Sequence, residues 1–342
     1  MRKVVKFLIA LIVGGFIFWF VMGRAGWGRL NEALVLILSF KGILIILLTF
    51  VIAVISILRW KLILASQGLD TRAKDLGKVW VVGFAMDYLT PVALFGGEAL
   101  RIYLTKKKFN LNWEKSAASV IIDKILDATL FLMFTIAGIL AFLFYGYFPS
   151  RIMAWLVGLI ILGLSGLLLL FYFKALNRES FLEWFLKVFG IKKEKIKNSA
   201  NGKIIFDTEK EVIRFFSPKR KAFWKGLGFS FLRYFLLFLR VGLLIFFLKE
   251  GIEVSRVLAI YGFANLALLF PLPAGLGSLE AASAFSFGSL GLGFATGTIF
   301  GMVLRGADLL VCLVGLIFLV KFGAHLAGMK ILEFIDSLKK IK

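Results

Sequence analysis

The sequence predicts an all-α integral membrane protein with about six transmembrane helices and two re-entrant helical hairpins in an inverted-topology repeat, or about eight spans if the hairpins cross the bilayer. Three observations support this prediction. Hydrophobic residues make up 60% of the 342 residues, whereas they make up roughly 45–50% of a soluble globular chain. Several apolar stretches reach the roughly 20 residues with which a helix crosses the hydrocarbon core. Two segments with proline and glycine, one in each half, resemble each other.

The basic loops give the direction of the crossings, because Lys and Arg are retained on the cytoplasmic side. Three basic residues before residue 7 place the N-terminus inside, and the first span leads to residues 24–41, outside or at the interface. The second span returns to a cytoplasmic loop, to which we assign Arg59, Lys61, Arg72, Lys74 and Lys78. The basic stretch over residues 101–115 is also inside, so residues 79–100 begin and end on one side.

A segment with both ends on one side must turn within the membrane. We therefore predict a re-entrant hairpin over residues 79–105. Pro91 supplies the helix break together with Gly96 and Gly97, because proline lacks a backbone N–H and disrupts helical hydrogen bonding.

The second half follows the same charge argument. We predict spans over residues 116–144, 152–173 and 223–248. A cytosolic basic loop at 174–222 connects the last two of these spans. The basic tail places the C-terminus inside, so the chain between 257 and 293 must begin and end outside before the last span. That second hairpin contains four helix-breaking residues, Pro271, Pro273, Gly275 and Gly277.

The two hairpins share a sequence pattern. Gly-Phe-Ala occurs at residues 83–85 and again at 262–264, and in each hairpin a proline stands seven positions before a glutamate, Glu98 or Glu280. A long apolar helix follows each glutamate and carries a basic residue and, three positions later, an aspartate: Lys124 with Asp127, then Arg305 with Asp308. We assign the repeat halves to residues 73–145 and 254–322 of a single membrane domain, 1–342.

Inverted repeats with broken helices are typical of secondary transporters, which place their substrate site where the breaks meet. Exposed backbone groups at a break are tolerated only when they are buried in protein or line a polar cavity. The alternative is that glycine and proline only permit close packing or kinks. Because the two hairpins match, we expect a functional cavity.

Charged side chains within the apolar segments are costly, so they should face the interior and pair. Lys124 and Asp127, like Arg305 and Asp308, lie three positions apart on one helix face and permit local pairing, with structural ion pairs between helices as the alternative. Arg233 and Arg240 also share a face, and either bind a lipid phosphate or pair with acids of a neighbouring helix. The candidate cavity residues are Glu98, Arg101, Asp123, Lys124, Asp127, Arg233, Arg240, Glu280, Arg305 and Asp308.

These residues carry a resemblance to a known family. The segments are Pro91 with Gly96-Gly97-Glu98-x-x-Arg101, residues 116–127 with Asp123-Lys124-x-x-Asp127, Pro271-x-Pro273-Ala-Gly275-Leu-Gly277-x-x-Glu280, Arg305 and Arg59-Trp60-Lys61. Over nearly the whole chain, the sequence resembles the transmembrane family of the lysylphosphatidylglycerol synthase/flippase. Two positions depart from that pattern: Lys124 stands where Arg is usual, and Ala274 where a Pro-Gly-Gly run is common.

The resemblance implies movement of lipids between leaflets, or a membrane partnership with glycosyltransferases that act on polyprenyl-phosphate lipids. Members that synthesise aminoacyl-lipids carry an additional soluble domain, and we do not expect that activity here. Our leading hypothesis is a flippase or scramblase for an anionic, aminoacylated or polyprenyl-phosphate lipid. A non-catalytic partner or scaffold of a lipid glycosyltransferase is the alternative.

An intramembrane enzyme is disfavoured, because the sequence has a single histidine and shows no Asp-rich prenyl-diphosphate motif or Ser/His nucleophile arrangement. We expect no metal and no cofactor. The net charge of +22 is concentrated in short loops, which indicates anionic headgroups rather than nucleic acid as the partner. We expect the plasma membrane as the location, cytoplasmic termini, and membrane lipids as partners; a homo-oligomer or a lipid-modifying enzyme partner is left open.

The predicted topology is testable by cysteine labelling from each side of the membrane. A Lys107→Cys variant should react with a membrane-impermeant maleimide only from the cytoplasmic side, and a cysteine placed in the turn at 145–149 only from outside. A Lys107→Cys variant that is reached only from outside contradicts the topology.

Overall fold

The computed structural model describes residues 2–90, 96–145, 151–191, 196, 199–248 and 253–339. Thirteen α-helices and one 3₁₀ turn are found in these residues, and no β-strand. The helices are α1 (Arg2–Ala25), α2 (Gly28–Leu38), α3 (Phe40–Ser66), α4 (Ala73–Leu89), α5 (Glu98–Phe109), α6 (Trp113–Phe144), α7 (Arg151–Leu176), α8 (Phe181–Val188), α9 (Ala200–Phe215), α10 (Lys221–Leu248), α11 (Val254–Ala267), α12 (Ser278–Ser289) and α13 (Phe294–Lys339).

Six of the described helices are long and apolar enough to cross a membrane. They are α1, α3, α6, α7, α10 and α13, with apolar parts at Leu8–Ala25, Phe40–Ser66, Trp113–Phe144, Ala154–Leu176, Lys221–Leu248 and Phe294–Gly323. The prediction of an all-helical membrane protein with six spans is therefore confirmed.

The four helices of the two predicted hairpins are shorter. The longest, α4, has 17 residues, and α5 has 12, which is about 18 Å at 1.5 Å per residue. A helix of that length does not cross about 30 Å of hydrocarbon. The lengths agree with a hairpin, but the re-entrant course and the inverted repeat stay predictions.

Both predicted breaks lie between helices. The first falls between α4 and α5, where Pro91 lies outside the described residues and the backbone N–H of Gly97 donates to Asp87 at 2.5 Å. In the second break, Gly275 and Gly277 adopt φ of +60° and +80°, a region that glycine enters without steric cost. Ala274 shares this conformation at φ +55°. Among the described residues, the predicted breakers thus lie between helices and do not kink one.

The helices of the two predicted halves pack across each other. Helix α11 lies against α6, and α4 lies against α13. At the first crossing Gly138 and Gly262 face each other, so that a Cβ added to Gly138 would stand 2.6 Å from the Gly262 Cα. At the second crossing Gly315 packs on the backbone of Val81. Glycine is required at these positions because the two backbones touch.

The predicted basic loop at 174–222 is largely helical. Helix α8 follows the spacing of Phe181, Trp184, Phe185 and Val188, and Ser180 caps it by accepting from the Glu183 backbone N–H at 3.0 Å. Helix α9 packs on α6 and contributes the buried Phe215. The connection between the two spans is therefore partly helical, with apolar residues at helical spacing, and its cytosolic location stays a prediction.

The α6–α11 crossing gives a prediction about stability. Gly138→Ala should lower the free energy of unfolding by about 1–3 kcal/mol, because the new methyl group forces two backbones apart. Thermal unfolding of the purified protein in detergent measures the effect.

The matched control is Gly158→Ala on α7, where nothing lies within 4 Å of the added methyl group. This change should be neutral or should stabilise by about 0.5–1 kcal/mol, because alanine favours the helix. Equal effects of the two substitutions contradict the close crossing.

Candidate functional site

Twelve charged side chains pair with one another inside the helix bundle. The cations are Arg59, Arg101, Lys124, Arg233, Arg240 and Arg305, and the anions are Asp87, Glu98, Asp123, Asp127, Glu280 and Asp308. We call these twelve residues the charge network. Six positive and six negative charges make it neutral, as burial in a low-dielectric interior requires.

Two aspartates of α6 form the centre of the network. Asp123 accepts from Arg59 Nε at 2.8 Å and from Arg101 Nη2 at 2.9 Å, so each carboxylate oxygen binds a different helix. One turn along α6, Asp127 accepts from Arg59 Nη1 at 3.0 Å and from Arg233 Nη1 at 2.5 Å. These contacts join α3, α5, α6 and α10.

Neutral side chains complete the coordination of the central arginines. Arg59 Nη1 also donates to the Ser230 hydroxyl at 3.0 Å, and Arg233 Nε donates to the Ser56 hydroxyl at 2.9 Å. The guanidinium of Arg101 lies 4.1 Å from the ring centre of Trp60, a cation–π contact.

Arg59 is the member of the charge network that the loop assignment missed. It lies inside α3 with 3% of its surface exposed, not in a cytoplasmic loop. The assignment failed because it used charge alone, although apolar residues flank Arg59 on both sides. The signal was the continuation of the apolar pattern through residues 62–65, which extends the helix to Ser66.

Lys124 links α6 to the first helix break. It forms ion pairs with Glu98, the first residue of α5, and with Asp87 at 3.4 Å. The same Asp87 accepts from the backbone N–H of Gly97. Glu98 and Asp87 thus link the end of α4 and the start of α5, on either side of the first break, to α6. Asp87 is not among the ten candidate residues of the sequence analysis.

The second half repeats the arrangement with different residues. Arg305 binds Glu280 through both guanidinium branches, at 2.8 and 3.1 Å, and Glu280 also accepts from the Gly277 backbone N–H at 3.0 Å. Arg240 donates to Asp308 at 2.6 Å and to Thr49 at 3.0 Å. Arg305 and Asp308 therefore pair with α12 and α10 rather than with each other.

A cavity of about 300 Å³ adjoins this network. Seven network residues line it: Asp87, Lys124, Asp127, Arg233, Arg240, Arg305 and Asp308. Aromatic side chains contribute as well, namely Phe84, Tyr88, Tyr234 and Tyr261. The second break reaches the cavity through Ala274 and Gly275.

The remaining candidate residues do not line this cavity. Glu98, Arg101, Asp123 and Glu280 are paired behind its wall, and Glu280 is completely buried. The structure thus divides the predicted residues into cavity-lining groups and buried partners. Within the described residues, no group of three or more His, Cys, Asp and Glu side chains is arranged to hold a metal ion.

The central aspartates give a prediction about stability. Asp123→Asn should lower the free energy of unfolding by about 3–5 kcal/mol, because it leaves Arg59 and Arg101 buried with too little negative charge. Thermal unfolding in detergent measures the loss.

Glu32→Gln on α2 is the matched control, because Glu32 and Arg29 form an ion pair whose side chains are 51% and 40% exposed. An exposed pair contributes about 0–1 kcal/mol. If Asp123→Asn costs no more than Glu32→Gln, the central cluster does not hold the helices together.

Comparison with known proteins identifies relatives of the whole membrane domain. The chain is 25% identical over 263 residues to a UPF0104 membrane protein of Methanothermobacter thermautotrophicus, which covers 75% of this chain and 77% of that protein. It is also 25% identical over 299 residues to a UPF0104 membrane protein of Methanocaldococcus jannaschii, with 85% and 87% covered. No solved structure shows a significant match.

The family model of the lysylphosphatidylglycerol synthase TM region matches residues 7–315. Because this match covers most of the chain, the protein belongs to the lysylphosphatidylglycerol synthase transmembrane-region family.

Proposed function

We propose that this protein moves an anionic, aminoacylated or polyprenyl-phosphate lipid between the leaflets of the membrane, as a flippase or scramblase. Membership of the family supports a function related to membrane lipids. The observation that carries the proposal is the cavity lined by Lys124, Arg233, Arg240 and Arg305, each of which is held by a carboxylate of another helix.

The neutrality of the charge network constrains how such a cavity would work. An unpaired buried ion costs several kcal/mol, so every cation needs a partner both with and without substrate. An entering phosphate satisfies this condition for the cation when it replaces a carboxylate, and the released carboxylate must then take up a proton or pair with another cation. The headgroup then crosses by exchange of partners, while its hydrocarbon chains stay in the bilayer.

Arg305 is well suited to this exchange. It faces the cavity, and its guanidinium presents two parallel donors that match a phosphate as well as a carboxylate. Its partner Glu280 keeps a hydrogen bond from Gly277 when it releases the arginine. Lys124 offers a single ammonium, which makes a less directional contact with phosphate.

Arg101 is a structural residue under this proposal. It does not line the cavity, and it is paired with Asp123 and stacked on Trp60 behind the wall. Lipid exchange is therefore assigned to the four cavity-lining cations. No reaction chemistry is proposed for the site, and its partners are membrane lipids of the plasma membrane.

Reconstitution into liposomes that contain a fluorescently labelled phosphatidylglycerol or a polyprenyl phosphate tests the proposal. The wild-type protein should accelerate movement of the label between leaflets. Arg305→Ala and Glu280→Gln should each reduce that rate to the protein-free level, because each removes one member of the exchanging pair. Both variants must still insert and elute as folded protein.

Arg29→Ala is the matched control, because it breaks an exposed ion pair away from the cavity and should leave the rate unchanged. If Arg305→Ala and Glu280→Gln both move lipid at the wild-type rate, these charges are structural. The proposal then yields to the alternative of a non-catalytic partner of a lipid glycosyltransferase.

A further inference from the structure

We infer that an apolar groove along α6 holds one hydrocarbon chain of the lipid whose headgroup enters the charged cavity. The inference rests on the proposed function and specifies its substrate as an amphiphile that binds through headgroup and chain together. The groove has a volume of about 930 Å³, compared with about 300 Å³ for the cavity.

The walls of the groove come from helices α6, α7 and α9 and from the start of α8. Its apolar lining includes Ile121, Ile125, Leu164, Leu168, Phe171 and Ile205. Apolar surface of this extent is not filled by water, which needs two to four polar partners. In a bilayer, hydrocarbon is therefore the occupant that matches the lining.

Adjacency to the charged cavity distinguishes this groove from ordinary lipid-facing surface. Four residues line both spaces: Lys124, Asp127, Phe131 and Tyr234. Lys124 and Asp127 lie midway along the α6 wall, which extends from Ala117 to Leu132. A lipid in the groove can therefore place its headgroup at Lys124 while its chain follows α6.

The polar groups of α8 and α9 that line the groove are already hydrogen-bonded. Glu209 accepts from the Leu182 backbone N–H at 2.7 Å and from the Ser180 hydroxyl at 2.5 Å. Thr208 donates to the Ile204 carbonyl oxygen at 2.7 Å. These groups make no demand on the occupant. The cation of the groove is Lys124, whose carboxylate partners Glu98 and Asp87 would be exchanged for the headgroup as in the proposed function.

Helix α7 forms the peripheral wall of the groove. Within the most apolar stretch of its part Ala154–Leu176, no residue is buried. Leu162 and Leu169 are 70% and 69% exposed, whereas Leu164 and Leu167 line the groove. The groove therefore lies at the edge of the bundle, beside surface that faces the hydrocarbon region.

The test introduces larger side chains on the side of α7 that lines the groove. Leu164→Trp and Leu167→Trp add bulk inside it, and Leu162→Trp, on the other face of the same helix, is the matched control. Native mass spectrometry measures how much palmitoyl-oleoyl phosphatidylglycerol stays bound to the detergent-purified protein, and the liposome assay measures its movement.

We expect both groove variants to lower retained lipid and the rate of movement at least fivefold, with Leu162→Trp at the wild-type level. Binding of sn-glycerol 3-phosphate, which offers a headgroup without a chain, should be equally weak in all four proteins. If both groove variants retain and move lipid like the wild type, the chain does not lie in this groove.

The outcomes separate this inference from the proposed function. If the groove variants move lipid normally but Arg305→Ala does not, transport stands and the groove is rejected. If the wild type moves no lipid, but retained lipid is lost only in the two groove variants, the groove stands and transport is rejected. Retention that is equal in all four proteins, without movement, rejects both.

Discussion

The rest of the structure depends on two carboxylates of one helix, the buried Asp123 and the partly buried Asp127, which several arginines share. Asp123 and Asp127 project from α6 and bind three arginines that come from α3, α5 and α10. Hydrophobic burial cannot orient helices in lipid, because lipid tails are as apolar as the side chains. Directional ion pairs provide that orientation, and their mutual compensation makes the buried charges tolerable.

Two classes of ion pair follow from this arrangement. Arg59, Arg101 and Asp123 are buried behind the cavity wall, and loss of one member leaves the others without compensation. Arg240 and Arg305 line the cavity and bind carboxylates of α13 and α12. The first class fixes the bundle. The second class contains the pairs in which, under the proposed function, an anionic headgroup would replace a carboxylate.

The helix breaks connect the backbone to this electrostatic arrangement. In each predicted hairpin, a carboxylate accepts from a glycine N–H at the break: Asp87 from Gly97, and Glu280 from Gly277. Each of these carboxylates also pairs with a cation of a long helix. At each break, one backbone N–H is therefore satisfied by a carboxylate that also holds a cation.

The sequence by itself determined the membrane class, the six spans, the positions of the helix breaks and the set of ten candidate residues. Hydrophobic length and the local chemistry of proline and glycine fix these features, since both act over a few neighbouring residues. Only the tertiary structure decided which charged residues pair with each other. It placed Arg59 at the centre, paired Arg305 with Glu280, and set Arg101 behind the cavity wall. Ion pairs join residues up to 106 positions apart, so their partners depend on how the helices pack, which neighbouring residues in the sequence do not specify.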